Sequence, residues 1–346
     1  MRKGDNINGY EILEDFKVAG GMSKISFAQK GGKDYFIKEF LAPKFPLPDS
    51  PGSEKVKLQK RKECELFEKH HQELNKRIAS RCSLGGNLVF AVDFFRMGAC
   101  YYKITEKIDV SSLSCKEISK LPLDKILLVA KTVAHSVKIL HDLDIVHGDL
   151  KPDNILIKET ALGYSGKLID FDDSYFTGKP PKDRESVVGT PEYYSPEVAE
   201  YIMDEEEEID GNTLTCKSDI FTLGIIFCEY FTGEKPKYDS KFGNIWKCVS
   251  QGGSLSFKTM PNQMLLLIKQ MLSLEVEKRP TISQVFDILK KKEILSDIKE
   301  DTIKITKSTT KVDKLEKSLL RGDLVNKVAT VKSESTSIIT QLKINI

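Results

Sequence analysis

His147-Gly148-Asp149-Leu150-Lys151-Pro152-Asp153-Asn154, followed by Leu168-Ile169-Asp170-Phe171-Asp172, is the stretch from which the rest of the chain is read. Asp149 and Asn154 stand five residues apart and flank Lys151. Ile155-Leu156-Ile157 then leads through a turn expected at Gly163 to Gly166 into Lys167-Leu168-Ile169. Two short apolar runs separated by a turn read as a β-hairpin. Asp149 and Asn154 then sit on the loop entering the hairpin, with Asp170 just past its exit. Three oxygen-bearing side chains and a lysine converge at one edge. That set suits Mg²⁺, which takes one or two carboxylates and leaves its other positions to phosphate and water. It also suits phosphoryl transfer, where positioning and charge neutralisation carry most of the catalysis. An acidic turn between two strands, with Asp and Asn serving turn chemistry, uses the same residues.

In order and spacing the stretch resembles the protein kinase family, which carries H-R-D-L-x-x-x-N and then D-F-G. The resemblance implies that Asp149 is the catalytic base, that Asn154 and Asp170 hold the metal, and that Lys151 contacts the transferred phosphate. Leu150-Lys151-Pro152 is similar to the serine/threonine branch. Downstream, Gly189-Thr190-Pro191-Glu192-Tyr193-Tyr194-Ser195-Pro196-Glu197 resembles G-T-x-x-Y-x-A-P-E, the end of the family's activation segment. Small-molecule kinases lack it, so it implies a protein substrate, with Thr190 expected beside Asp149 and Lys151.

Outward from that centre, composition sets broad bounds. The chain has 346 residues, 40% of them hydrophobic and 30% charged, enough for a two-lobed domain with a tail. A formal net charge of +2 gives no reason to expect nucleic acid or an anionic membrane as partner. Seven scattered cysteines without a C-x-x-C pair read as reduced thiols of a cytoplasmic protein. The start, Met1-Arg2-Lys3-Gly4-Asp5, lacks the apolar core of a signal peptide. Residues 220–231 are apolar but too short to span a bilayer, and they contain Glu229. No membrane segment is expected.

Strands are expected over residues 10–13, 25–28, 35–38, 88–95 and 100–105. Gly31-Gly32-Lys33 marks a hairpin turn. Val18 to Ile25 resembles the family's Gly-rich loop, where the backbone must approach phosphates closely. The match is partial, because Val18 and Ser23 replace glycines. Lys38 falls where the family's third strand carries the lysine for the α- and β-phosphates. Phe36 falls where alanine usually lies over adenine. Residues 54–78 read as a long charged helix, with Glu63, Phe67, His70 and Leu74 on one face. The resemblance makes Glu63 the partner of Lys38. Residues 105–108 resemble the hinge, with Thr105 as gatekeeper. Val18, Gly20, Gly21, Ile25, Phe36, Glu106, Ile108 and Leu156 complete the implied nucleotide site with Lys38, Asn154 and Asp170.

Leu127, Ala130, Ala134, Val137 and Leu140 give residues 123–143 helical spacing. Lys217-Ser218-Asp219-Ile220-Phe221-Thr222-Leu223-Gly224 resembles the start of the family's buried central helix, which implies that Asp219 braces the catalytic loop. Glu277-Lys278-Arg279-Pro280-Thr281 resembles the family's closing signature, which implies that Arg279 pairs with Glu197, and an unpaired charge at that position would be costly. The acidic run within residues 200–213 reads as a solvated loop or as a patch recruiting basic substrates. In the activation segment, Lys179, Lys182 and Arg184 read as solvated charges near Ser174, Tyr175, Thr177 and Ser186.

The resemblance covers residues 10–292 and implies an α+β fold with two lobes. Residues 1–108 form a small β-rich lobe with one long helix and the hinge. Residues 109–292 form a larger, mainly helical lobe, and residues 293–346 a polar tail. It implies a serine/threonine protein kinase using ATP with Mg²⁺, or Mn²⁺ in its place. A regulatory partner is expected through residues 293–346 or 200–213. The competing reading is a pseudokinase, resting on four departures: Val18, Phe36, Gly148 and Asp172. Lys38, Asp149, Asn154 and Asp170 are all retained, which favours catalysis.

Overall fold

In the computed structural model, the described residues lie between 2 and 291, excepting 20–22, 84–85, 109–110, 162, 182, 185–186, 188 and 207. Gly20 and Gly21, and residues 293–346, therefore lie outside the described residues.

A seven-stranded sheet forms the N-terminal part, in the order β1 (Asn6–Ile7), β2 (Tyr10–Ile12), β4 (Ser23–Lys30), β5 (Lys33–Phe40), β7 (Cys100–Glu106), β6 (Ala91–Met97), with β3 (Lys17–Ala19) pairing β4. Alternation decides which side chains meet. Ile37 and Ile104 join a core with Ile7, Ile12, Ala28 and Tyr102 on one face. The opposite face of β5 and β7 carries the partner pairs Phe36–Thr105, Lys38–Lys103 and Phe40–Tyr101.

The long helix α1 (Glu54–Ala79) is capped by Ser53, whose hydroxyl accepts from the Val56 N–H. Glu54 in its first turn and Lys76 and Arg77 in its last complement the helix dipole. Its buried face runs through Cys64, His71, Leu74 and Ile78, with Phe67 packed against Phe40 and Tyr101. That face differs from the expected one. Glu63 lies one residue before Cys64, about 100° around the helix, and it is exposed.

The helical part comprises α2 (Cys115–Ile118), α3 (Leu123–His141), α4 (Pro196–Met203), α5 (Cys216–Thr232), α6 (Ile245–Ser250), α7 (Asn262–Met271) and α8 (Ile282–Leu289). Fourteen consecutive residues of α5, from Ser218 to Phe231, are buried, so the helix is a central post and not a surface element. Gly233 ends it in the left-handed conformation, φ 79°. Thr281 and Gln284 close a capping box at the start of α8.

Strands β8 (Ile145–Val146) and β11 (Tyr175–Phe176) pair on either side of the His147–Asn154 stretch in sequence. Beside them β9 (Ile155–Thr160) and β10 (Gly163–Leu168) form the expected hairpin, but a longer one. Gly163 and Gly166 are strand residues here, not the turn. A Cβ on Gly166 would stand 3.1 Å from Val133, and its carbonyl accepts from Ser136 at 2.9 Å. Those glycines let α3 lie close against the hairpin.

Candidate active site

Asp149 is the centre of a closed hydrogen-bonded quartet. Its Oδ1 accepts from the Thr190 hydroxyl at 2.9 Å and its Oδ2 from Lys151 Nζ at 2.6 Å. Lys151 also donates to Thr190 at 2.9 Å. Asn154 Nδ2 donates to the Asp149 carbonyl at 2.7 Å and to its carboxylate at 3.2 Å. Pro152–Asn154 form a single tight helical turn, and that turn brings Asn154 back to Asp149. The expected meeting of Thr190 with Asp149 and Lys151 is thus found, across 41 and 39 residues of chain.

Below the quartet, Asp219 on α5 holds the loop by its backbone. It accepts from the His147 N–H at 2.8 Å, the Gly148 N–H at 3.4 Å and the His141 ring at 2.9 Å. His147 is fully buried, and burial keeps its imidazole below the ordinary range, hence neutral. Its ring packs 5.3 Å from Phe171, which ties the loop to the segment that follows β10. Gly148 has φ +83°, and a Cβ there would stand 2.2 Å from the Asp173 carbonyl oxygen. Only glycine tolerates that crossing.

Asp170 takes a left-handed backbone, φ 58°, which aims its half-exposed carboxylate at the sheet. Lys38 meets it at 3.1 and 3.2 Å and meets Asp172 more closely, at 2.6 Å. Lys103 contacts Asp170 at 3.5 Å and forms a shorter ion pair with Asp172. Burial alone would lower the Lys38 ammonium. The Asp172 and Asp170 carboxylates outweigh it and hold the ammonium well above the usual lysine range. Burial alone would likewise raise Asp172, and Lys103 and Lys38 hold it far below.

Glu63 is not part of this cluster. Among the described residues its partner is Gln59, at 3.1 Å. Phase explains the difference: the buried stripe of α1 passes through Cys64, Phe67 and His71, which leaves Glu63 on the solvent side. Phe36 and Lys38 share the inner face of β5, and Phe36 sits edge-on to Phe27 at 6.1 Å. Ile25 is the register partner of Lys38 on β4, and Val18 is 69% exposed on β3. Glu106 closes β7, Ile108 follows it, and Leu156 is buried on β9.

Lys103, Asp172 and Arg184 are the residues that sequence reasoning undervalued. A lysine between Tyr102 and Ile104 faces opposite to those two, into a sheet covered on both sides, and so signals a buried charge in need of a partner. Arg184 is not a solvated charge: it donates to the Tyr201 and Ile209 carbonyls at 2.7 and 2.9 Å and pairs with Asp204 at 2.9 Å. Asp204 is correspondingly structural, while Glu205, Glu206 and Glu208 are exposed. The Arg279–Glu197 pair forms as expected, at 2.6 and 2.8 Å, with Ser218 donating to the same carboxylate.

A sheet over a helical base, a loop aspartate locked to threonine, lysine and asparagine, and a second aspartate facing a strand lysine together make the architecture of a kinase-type fold. The sequence matches the protein kinase domain over residues 53–306, more than half of the chain, and the chain belongs to that family. Among curated relatives it is similar to the ovarian-specific serine/threonine-protein kinase Lok of Drosophila melanogaster, 32% identical over 58% of this chain and 39% of that one. It is also similar to the serine/threonine-protein kinase PSK2 of Saccharomyces cerevisiae, 30% identical over 58% of this chain and 17% of that one. PknA of Corynebacterium glutamicum is 37% identical over 34% of this chain and 22% of its own. The chain spans well under half the length of these relatives. Among the described residues, no helix is long and apolar enough to cross a membrane.

Proposed function

We propose that the chain is an ATP- and Mg²⁺-dependent protein kinase acting on serine and threonine hydroxyls. The observation that carries this is the quartet of Asp149, Lys151, Asn154 and Thr190 facing the Lys38–Asp170 pair. Asp149 accepts the proton of the acceptor hydroxyl as its oxygen bonds to the γ-phosphorus and the bond to ADP breaks. Lys151, already on Asp149, offsets charge on the transferring group. Lys38 faces the α- and β-phosphates from the sheet. Asp170 and Asn154 offer a carboxylate and an amide oxygen, a donor set that fits Mg²⁺ sharing its remaining positions with phosphate and water. The ion would neutralise phosphate charge. A closed protein cage is not needed, and among the described residues no group of three or more His, Cys, Asp or Glu could form one.

The nucleotide's adenine end is assigned to Phe36, Glu106, Ile108 and Leu156, and its phosphates to the Gly-rich stretch of Val18, Gly20, Gly21 and Ile25, of which Gly20 and Gly21 lie outside the described residues. The segment around Thr190 forms the wall for a protein acceptor, beside a small pocket lined by Gly148, Leu150, Tyr193 and Tyr194. Residues 1–108, 109–292 and 293–346 are the two lobes and the tail in this reading. Seven free cysteines support a reducing, cytoplasmic setting. A purely scaffolding role gains no support, because every side chain that the chemistry needs is retained. Incubation of the pure protein with γ-labelled ATP, Mg²⁺ or Mn²⁺ and protein acceptors tests the proposal. Label recovered as phosphoserine and phosphothreonine is expected; phosphotyrosine, or label only on small molecules, contradicts it.

A further inference from the structure

Lys38 of β5 and Lys103 of β7 are directly opposed on the inner face of the sheet. Like charges at such positions repel. Both side chains are mostly buried, 14% and 11% exposed, so water screens them little and the pair requires a counter-charge. Asp172 supplies it, with one oxygen for each lysine: Oδ2 to Lys38 at 2.6 Å and Oδ1 to Lys103. The neighbouring Asp170 is 40% exposed, and its contacts with the two ammonium groups are longer, 3.1 to 3.5 Å. One carboxylate is therefore buried as a bridge while the other stays open toward the nucleotide side.

The α1 side chains that line the cavity beside this bridge, His71, Leu74 and Asn75, include no glutamate. His71 lines a small cavity together with Lys103, Phe171 and Asp172, and Glu63 points away to Gln59. We infer that Asp172, held in place by Lys103, is the positioning residue for Lys38, replacing the helix glutamate that the family resemblance implied. The inference deepens the kinase reading and rests on it. Asp172 lies two residues beyond Asp170 on one segment, so the orientation of Lys38 follows Asp170 and does not depend on where α1 stands.

The test combines direct binding of Mg·ATP, by calorimetry, with steady-state kinetics. Asp172→Asn keeps the shape and removes the charge. Asp172→Gly/His71→Glu removes the bridge and returns a carboxylate from α1. Asp172→Asn is expected to raise both Kd and KM for ATP about tenfold, the loss of one charge-assisted hydrogen bond, with KM for the protein acceptor unmoved. The double variant should recover at least half of that loss on a logarithmic scale, which a merely structural role would not produce. Glu63→Ala should leave both constants unchanged. Thermal melts show which variants are folded; should Asp172→Asn not fold, the double variant against Asp172→Gly alone makes the same comparison. Wild-type binding matched by Asp172→Asn, or a Glu63→Ala loss as large, overturns the inference alone. Wild-type protein that binds no Mg·ATP overturns the kinase reading and the inference together.

Discussion

Arg184 and Asp204 form an ion pair at 2.9 Å that fastens the segment after Phe171 to the end of α4. The guanidinium also lies over the Tyr201 ring at 4.2 Å, and both charged side chains are close to nine-tenths buried. The segment is thus held by an unmodified arginine. Ser174 and Tyr175 are buried within it, and Thr177 donates to Cys216 Sγ. None of the three is presented as a phosphate acceptor.

Ser186 lies outside the described residues; activity should be indifferent to phosphorylation of Ser174, Tyr175 and Thr177. Phosphatase-treated protein is expected to keep its initial rate within about twofold, less than 0.5 kcal/mol in the barrier. Arg184→Ala should instead cost about 3 kcal/mol of stability by leaving the mostly buried Asp204 charge without its counter-ion, with the Ile209 N–H still on it at 2.7 Å, read from denaturant midpoints. A tenfold fall on dephosphorylation would contradict the account.

Gly148 marks the same independence from the other side. Many kinases place an arginine before the catalytic aspartate to receive a phosphate, and here that position cannot accept a Cβ. Gly148→Ala and Gly148→Arg should each lose about 1 to 3 kcal/mol from the left-handed backbone alone. Melts equal to wild type would refute the strain.

Glu197 and Arg279 join the segment's end to the base of the fold. Arg279 is fully buried and bonds both oxygens of Glu197, so removing one partner strands the other. Glu197→Ala is expected to destabilise by about 3 to 5 kcal/mol. Arg279→Lys should be costly as well, because an ammonium cannot reproduce the two parallel bonds.

His71 gives the fold an acid-sensitive point. Burial pushes its pKa down to about 3; Asp172 opposes the shift, while Lys103, His70 and Lys38 add to it. The unfolded chain takes the proton near pH 6.5 and the fold does not, so this stability is complete above pH 6.5 and is lost as pH falls toward 3. At pH 5 the loss is about 2 kcal/mol. His71→Phe should show a correspondingly shallower decline between pH 7 and 5, measured by chemical denaturation at each pH.

The catalytic stretch was legible in the sequence because its chemistry is local. Asp149, Lys151 and Asn154 sit on one short loop, and the ordered motif beyond it carries Asp170 and Thr190 to the same edge. Asp219 and the Glu197–Arg279 pair were legible only through the family resemblance of the motifs that carry them, since neither Ser195-Pro196-Glu197 nor Glu277-Lys278-Arg279 marks a buried charge by its own pattern. The Lys38 partner was not legible, because it depends on strand register and helix phase. Placing Glu63 and Phe67 on one face looked sound, yet Cys64, Phe67, His71, Leu74 and Ile78 make the tighter stripe, and that stripe turns Glu63 outward. Arg184 and Asp204 escaped notice because nothing in a polar loop tells a buried charge from a solvated one.

The central claim is that Asp149 serves the acceptor hydroxyl and not the nucleotide. Transfer from γ-labelled ATP to a protein acceptor, measured beside calorimetric Mg·ATP binding for wild type and Asp149→Asn, tests it most directly. The variant should lose transfer by at least about a hundredfold while binding Mg·ATP within about threefold of wild type. Equal incorporation by the two proteins would contradict it.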